Sequence, residues 1–407
     1  MTLHSTIPAG RIATFCLALI LVPLLPATTF RDDTAFLRQH TSVIVLQGQG
    51  GRVAVVPAWQ GRVMTSSAEG DAGLSFGWIN RSLIASGKTV PHMNAFGGED
   101  RFWMGPEGGQ FGLFFAPGVP FDYEHWFTPP IFDTLPFQVV HQSTGSVEFT
   151  ARFSLKNHSG TAFAVAADRK ITLLDPAAAW KDLGVAASPG VNVVAFETSN
   201  RITNAGAAAW TKQTGLLSIW ILGMFQPTPA TTIVVPIKPG DASELGPKVT
   251  SNYFGAVPPA RLAVRDNALL FAADGRFRSK IGVNPRRSRG VLGSYDAEHH
   301  VLTIVQFNQP DGVTDYVNSL WQVQERPFGG DVENSYNDGP PTPGAKPMGP
   351  FYELETSSPA AALAPGQSMT HLHRTIHLRG PMLKLDAIAR ATLGVSLQEI
   401  TSAVHPE

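Results

Sequence analysis

The feature that most constrains this chain is a strand rhythm that runs almost its whole length. "SVIVLQ", "RVAVVPA", "VEFTARFSL", "FAVAADRKITLL", "VNVVAFET", "LLSIWILGMF", "TTIVVPI", "RLAVRDNALLFAA", "VLTIVQF", "FYELET" and "MTHLHRTIHL" follow one another in order. Several alternate apolar and polar residues with period two, as half-buried antiparallel strands do. Gly, Pro, Asn or Asp stands between nearly every pair, and the 39 glycines and 32 prolines are scattered rather than clustered. Asp266–Ala268 and Asp296–His300 carry the residues of tight hairpin connections. "TAFLRQH" (Thr34–His40) suits a short helix or turn, and "PMLKLDAIARATLG" has helical spacing that stops at Gly394. The expectation is an all-β chain of antiparallel sheets, two of them packed face to face, with a short C-terminal helix. Residues 30–407 are expected to form one domain, with the proline-rich Asp338–Pro350 as a loop inside it.

Composition narrows the class of function. A 43% hydrophobic content can fill a core, and the net charge of −1 comes without a basic stripe. Nucleic-acid binding therefore has no electrostatic footing. At the N-terminus, Arg11 precedes an apolar run from Ile12 to Leu25, followed by small and polar residues. This is the layout of an export signal, placed here at residues 1–29; the run of about 14 residues is short for a membrane span, and an uncleaved N-terminal anchor is the alternative. Cys16, the only cysteine, sits early in that run, so neither a lipid anchor nor a disulfide is expected. A periplasmic or extracellular protein follows, with no stable membrane anchor after cleavage. Nothing in the sequence sets its oligomeric state.

Chemistry concentrates in "NAFGGEDRFWMGPEGGQFGLFF", Asn94–Phe115. Glu99, Asp100, Arg101, Trp103 and Glu107 make either an internal ion-pair network or a polyol-binding set, in which carboxylates and guanidinium bond hydroxyls and an indole packs on a sugar face. Gly97, Gly98, Gly105, Gly108 and Gly109 would let a ligand approach the backbone. Further along, Glu353 and Glu355 are two apart, so a strand points both to one face, with Tyr352 and Leu354 on the other. Two such carboxylates, if buried, raise at least one pKa and suit general acid–base work; an exposed, solvated face is the alternative. Asn337 and Asp338 belong to an oxygen-rich Asp331–Asp338 stretch able to hold Ca²⁺, although its spacing is not that of an EF-hand. No other cofactor is expected. Trp210 and Lys212 interrupt an apolar segment, and Lys280 lies in "FRSKIGVNP". His371, His373 and His377 share one strand face, as zinc ligands or as ordinary hydrogen-bonded histidines. No metalloprotease helix, nucleophile elbow or phosphate loop is present.

These motifs carry a resemblance. "FYELETSSPAAALAPGQSMTHLHRTIHL" resembles the closing strands of the galactose mutarotase-like superfamily, with a Leu-Glu-Thr strand end and a Pro-Gly turn. "RITNAGAAAW" and "GQGGRVAVVPAWQGRVMTSS" are similar to its asparagine-glycine turn and its opening meander. Through "PAWQGRVMTS", "FGGEDRFWMGPEGGQ", "TGLLSIWILGMF", "GSYDA" and "YNDGP", nearly the whole mature chain also looks like an exported bacterial family of unknown function. The superfamily resemblance implies a β-supersandwich with a sugar pocket on a concave sheet face. It puts Glu355 at the catalytic base position and Arg101 at the place of an arginine that grips sugar hydroxyls. "WTKQTGLLSIW" lacks the acid histidine of mutarotases, so a carbohydrate pocket is implied more firmly than mutarotase chemistry. The expected protein is carbohydrate-active, of epimerase or hydrolase type, with Glu355, Glu107 and Glu353 as catalytic carboxylates. Asn94, Glu99, Asp100, Arg101, Trp103, Trp210, Lys212, Lys280, Asn337, Asp338 and His371 would bind the sugar. The alternative is a non-catalytic carbohydrate-binding or structural exported β protein.

Overall fold

The computed structural model describes residues 28–342 and 344–404. The expected export signal falls outside these residues except for its last two. Thr29 caps the helix Phe30–Arg38 through a reciprocal bond with Asp32, and bridges to Leu74.

Period-two patterning becomes antiparallel pairing throughout. A ten-stranded sheet runs from Leu262–Val264 at one edge to Gln138–Gln142 at the other, with Asn192–Asn204 and Ser368–Arg379 paired over twelve residues near its middle. A five-stranded sheet takes Ser279–Val283, Glu333–Asn337, Tyr352–Ser357, Ser218–Phe225 and Arg101–Gly105 in that spatial order. A third sheet joins Ile44–Gln47, Arg52–Val56 and Arg62–Ser67. The two larger sheets share apolar clusters: Phe102, Met104, Ile219 and Ile221 meet Val165, Phe196 and Ile202, and Leu354 and Ile281 meet Ile233 and Phe271. This is the antiparallel sandwich expected from the sequence.

The far face of the ten-stranded sheet is apolar as well. Helices Pro176–Leu183, Met382–Leu393 and Leu397–Thr401 bury Trp180, Leu385, Ile388 and Ile400 against Val234, Leu270, Ile304 and Ile376. Burial of each such side chain is worth about 1.5–3 kcal/mol. The C-terminal helix starts and ends where its pattern predicted, at Gly394 in the left-handed conformation. Helices cover the far face of one sheet and core fills most of the sandwich, which leaves the outer face of the five-stranded sheet open to the loops. No helix among the described residues is long and apolar enough to cross a membrane.

Candidate functional site

Strand register puts the charged residues side by side. Lys280 pairs with Tyr336, and Tyr336 with Glu353. Glu355 pairs with Leu222, Leu222 with Arg101, and Trp220 with Trp103. Cross-strand partners point to the same side of a sheet, so all eight share its outer face. Tyr352, Leu354 and Thr356 then point inward, as the two-residue spacing of Glu353 and Glu355 requires.

Loops roof this face to make a cleft. Arg101, Trp103, Trp220, Lys280, Tyr336 and Glu353 form its floor, while Glu107, Trp126, Trp321 and Phe351 close in from the loops. Tyr123, Phe254 and Met348 ring the mouth and are 58%, 38% and 41% exposed. The enclosed volume is about 80 Å³. A larger cavity of about 330 Å³ exists between the sheets. The smaller cleft is the stronger candidate because five charged side chains, Arg101, Glu107, Arg278, Lys280 and Glu353, line it, and a sixth lies buried beneath them.

The sixth is Glu355, which does not itself line the cleft but is held by two side chains that do. Its Oε2 accepts from Lys280 Nζ at 2.8 Å and from Trp220 Nε1 at 3.0 Å. Its Oε1 is buried without any hydrogen-bond partner. Arg101 forms an ion pair with Glu353 and lies 4.9 Å over the Trp103 ring. Lys280 Nζ lies 4.8 Å over Trp220, and Trp126 Nε1 donates to Glu107 Oε1 at 2.8 Å. Burial pushes the Glu353 carboxyl up to about 8, with Arg101 pulling it back and Glu355 adding to the rise. Burial also raises Glu107, against the pull of Lys280. For Lys280, burial acts to lower the ammonium, but Glu355, Glu107 and Glu353 outweigh it and hold the group above its ordinary value. The floor thus offers two fixed cations and a carboxyl whose titration burial shifts upward against the pull of Arg101, with the buried Glu355 carboxylate beneath.

The structure brings Arg101, Trp103, Glu107, Lys280, Glu353 and Glu355 together and sends the other expected residues elsewhere. Asn94 is not in the cleft: its backbone and side-chain nitrogens bond Asp133, anchoring the loop that carries Met93. Glu99 turns away to Ser66 and to His377, 2.9 Å from its Nε2. Asp100 is buried in an ion pair with Arg169 at 2.6 Å. Trp210 packs edge-on to Phe163 in the core, and Lys212 pairs with Asp315 at the surface. Asn337 holds the Asp274–Phe277 turn through Gly275 N and Phe277 O. Asp338 accepts from Tyr336 and from Gly349 N, so it braces the rim without lining it. His371 lies between the sheets; it and His373 both contact Thr356 Oγ1 at 2.8 Å, and burial pushes them down to about 3 and 4. Five of the residues in the oxygen-rich Asp331–Asp338 stretch form the strand Glu333–Asn337, so their side chains alternate between faces instead of converging on one ion.

The glycines also serve the chain rather than a ligand. A Cβ on Gly97 would lie 2.0 Å from Trp78 O, and one on Gly98 2.8 Å from Val63 O; both have positive φ. Sequence reasoning missed Trp126, Trp220, Trp321, Tyr123, Tyr336, Phe254 and Arg278. Trp220 was readable from strand parity with Leu222; the others come from loops or from a strand whose register the sequence did not fix.

Solved structures of similar shape include the Slr1438 protein from Synechocystis sp. PCC 6803, at 12% identity over 84% of this chain and 96% of that one, with a TM-score of 0.48. A galactose mutarotase-like protein from Lactobacillus casei ATCC 334 is 11% identical over 83% of this chain and all of its own, with a TM-score of 0.47. Likeness at this level carries nothing about the site. Among curated proteins, none matches the sequence. One family model does match, from residue 28 to residue 404, and covers nearly the whole described structure. The chain belongs to that family, the family of unknown function DUF6786.

Proposed function

We propose that the outer-face cleft binds a carbohydrate in an exported protein, and that Glu353 and Glu355 act as its acid and base. The observation that carries this is the unpaired Oε1 of Glu355. A buried polar atom left without a partner costs about 1–3 kcal/mol, and more when charged. A ligand hydroxyl donating to Oε1 recovers that cost. Lys280 and Trp220 hold the other oxygen, so the free one is oriented rather than mobile. Four tryptophans line the cleft and offer flat apolar faces to the C–H side of a sugar ring. Burial moves the Glu353 titration up toward the range a general acid at a ring oxygen needs, while Arg101 pulls against it.

A second reading, binding without turnover, is favoured by one specific observation. The enclosed volume of about 80 Å³ is smaller than the roughly 150 Å³ apolar cavity known to take benzene. A sugar ring therefore enters by displacing the exposed Met348 at the mouth or sits partly outside. A thermal-shift screen of the purified protein against mono- and oligosaccharides tests the site, because only a ligand of the native state raises Tm. The expected result is a rise that is reduced in Glu355→Gln. Proton NMR of the stabilising sugar then separates turnover from binding. A flat screen, or a rise untouched by Glu355→Gln, removes the assignment.

A further inference from the structure

The cavity of about 330 Å³ shares no lining residue with the cleft. It lies between the two large sheets at one end of the sandwich. Phe225 and Tyr352 pair across the five-stranded sheet and face inward, whereas their neighbours Leu222 and Glu353 line the cleft on the other side. Thr303 and His377 come from the ten-stranded sheet, and Asp296 and His299 from the end of one of its hairpins.

Its polar groups are arranged in pairs on separate walls. Asp33 accepts from Arg81 Nη2 and from Ser75 Oγ, each at 2.5 Å. Asp296 lies 2.6 Å from His299 Nδ1 and accepts from Thr228 at 2.8 Å. Behind them His377 spans Glu99 and Thr303, at 2.9 and 2.8 Å. Each carboxylate thus meets a guanidinium or an imidazole, so the cavity presents no block of one sign and favours an uncharged ligand. Bonding in the pairs is incomplete: Arg81 spends one nitrogen on Asp33, and His299 spends Nδ1 and keeps Nε2. A donor beside an acceptor on each wall is what vicinal hydroxyls require. The apolar part is fixed as well, since Phe76 stacks on His377 at 4.3 Å and Phe225 meets that imidazole edge-on at 5.7 Å. Volume settles the size of the occupant, at about twice the benzene cavity.

We propose that this inter-sheet cavity is a second binding site, for a neutral polyol of about one sugar ring, held between the Asp33–Arg81 and Asp296–His299 pairs. It stands independently of the outer-face cleft, and neither site needs the other to be occupied.

Equilibrium dialysis of the purified protein with radiolabelled D-glucose and D-galactose counts the sites. One of these sugars is expected to bind at two equivalents per chain. His299→Ala and Arg81→Gln should each remove one equivalent while the chain stays folded by circular dichroism, because both side chains reach solvent and neither is core. Glu353→Gln should remove the other equivalent. Saturation should also shift the His299 imidazole resonances in the wild-type protein, identified by their absence in His299→Ala. A single equivalent lost with Glu353→Gln, no binding of either sugar, or unmoved His299 resonances would each overturn the proposal. A single equivalent in the wild type that His299→Ala and Arg81→Gln remove and Glu353→Gln leaves untouched sinks the carbohydrate cleft and leaves the second site standing.

Discussion

Asp100→Asn separates scaffold from site within the charged stretch. Asp100 has no exposure; its Oδ1 lies 2.6 Å from Arg169 Nη2 and its Oδ2 accepts from Thr198 at 2.8 Å. The amide keeps the shape and removes the charge, leaving the Arg169 guanidinium uncompensated in the interior. Breaking a buried pair in this way costs about 3–5 kcal/mol. Arg169 keeps other acceptors, Asn200 Oδ1 at 2.5 Å and Gly61 O at 3.2 Å, which places the expected loss near the lower end, about 3 kcal/mol. Asp100→Asn with Arg169→Met removes the stranded cation and should recover part of that loss, the remainder reflecting Asn200 and Gly61 O left without their donor. Urea titrations of the wild type, both single variants and the double variant supply the comparison. Sugar-induced thermal shifts, measured in parallel, should be unchanged in all of them. A loss under about 1 kcal/mol together with an abolished sugar response would refute the scaffold assignment and return Asp100 to the site.

Other expectations concern the cleft and the buried acids. Burial pushes Glu333, neither of whose oxygens has a hydrogen-bond partner, up to about 8, and Glu353 likewise. The native state then holds protons that the unfolded chain has already lost, so stability falls as pH rises toward 8. Below pH 6.5 the depressed His371 and His373 act in the opposite sense, which confines the visible fall to about pH 6.5–8. Glu333→Gln should flatten that fall and raise the urea midpoint at pH 8; a midpoint that climbs across the window in the wild type contradicts this. Trp126→Phe removes the 2.8 Å bond to Glu107 and should weaken sugar binding by roughly five- to tenfold, corresponding to about 1–1.5 kcal/mol, in a calorimetric titration. Lys280→Met strands Glu355 without its cation and should cost about 3 kcal/mol or more of stability, with Lys280→Met plus Glu355→Leu restoring most of it.

Much of the sandwich was legible because period-two alternation is a local property. Glu353 and Glu355 could be put on one face by counting, and they are. Counting does not say which face meets a ligand: His371 and His373 have equally good parity and end between the sheets, against Thr356. The pairs Arg101–Glu353 and Lys280–Glu355 join residues 252 and 75 positions apart, and no local pattern encodes them. Asn94, Glu99 and Asp100 were placed with Arg101 by proximity in sequence, but the positive φ of Gly97 and Gly98 turns the chain and sends their side chains to three different neighbours. The helix Pro176–Leu183 was missed although its signals were present, with Asp175 capping Ala178 N, Pro176 at the first turn and Gly184 left-handed at its end.

The strand Tyr352–Ser357 has a consequence for how such a protein can change over generations. Its alternate positions answer to different demands, outward ones to the cleft and inward ones to the sandwich core. Substitutions at outward positions, made in pairs where two side chains are bonded as Lys280 and Glu355 are, can therefore reshape the cleft while leaving the packing of Leu354 and Ile281 inherited intact. A single-residue insertion or deletion in the same strand exchanges the two sets, driving two carboxylates into the core and Leu354 into the cleft. Descendants of this chain are free to vary in recognition by substitution along these strands and must keep the strand lengths fixed, with length variation confined to the loops that roof the cleft.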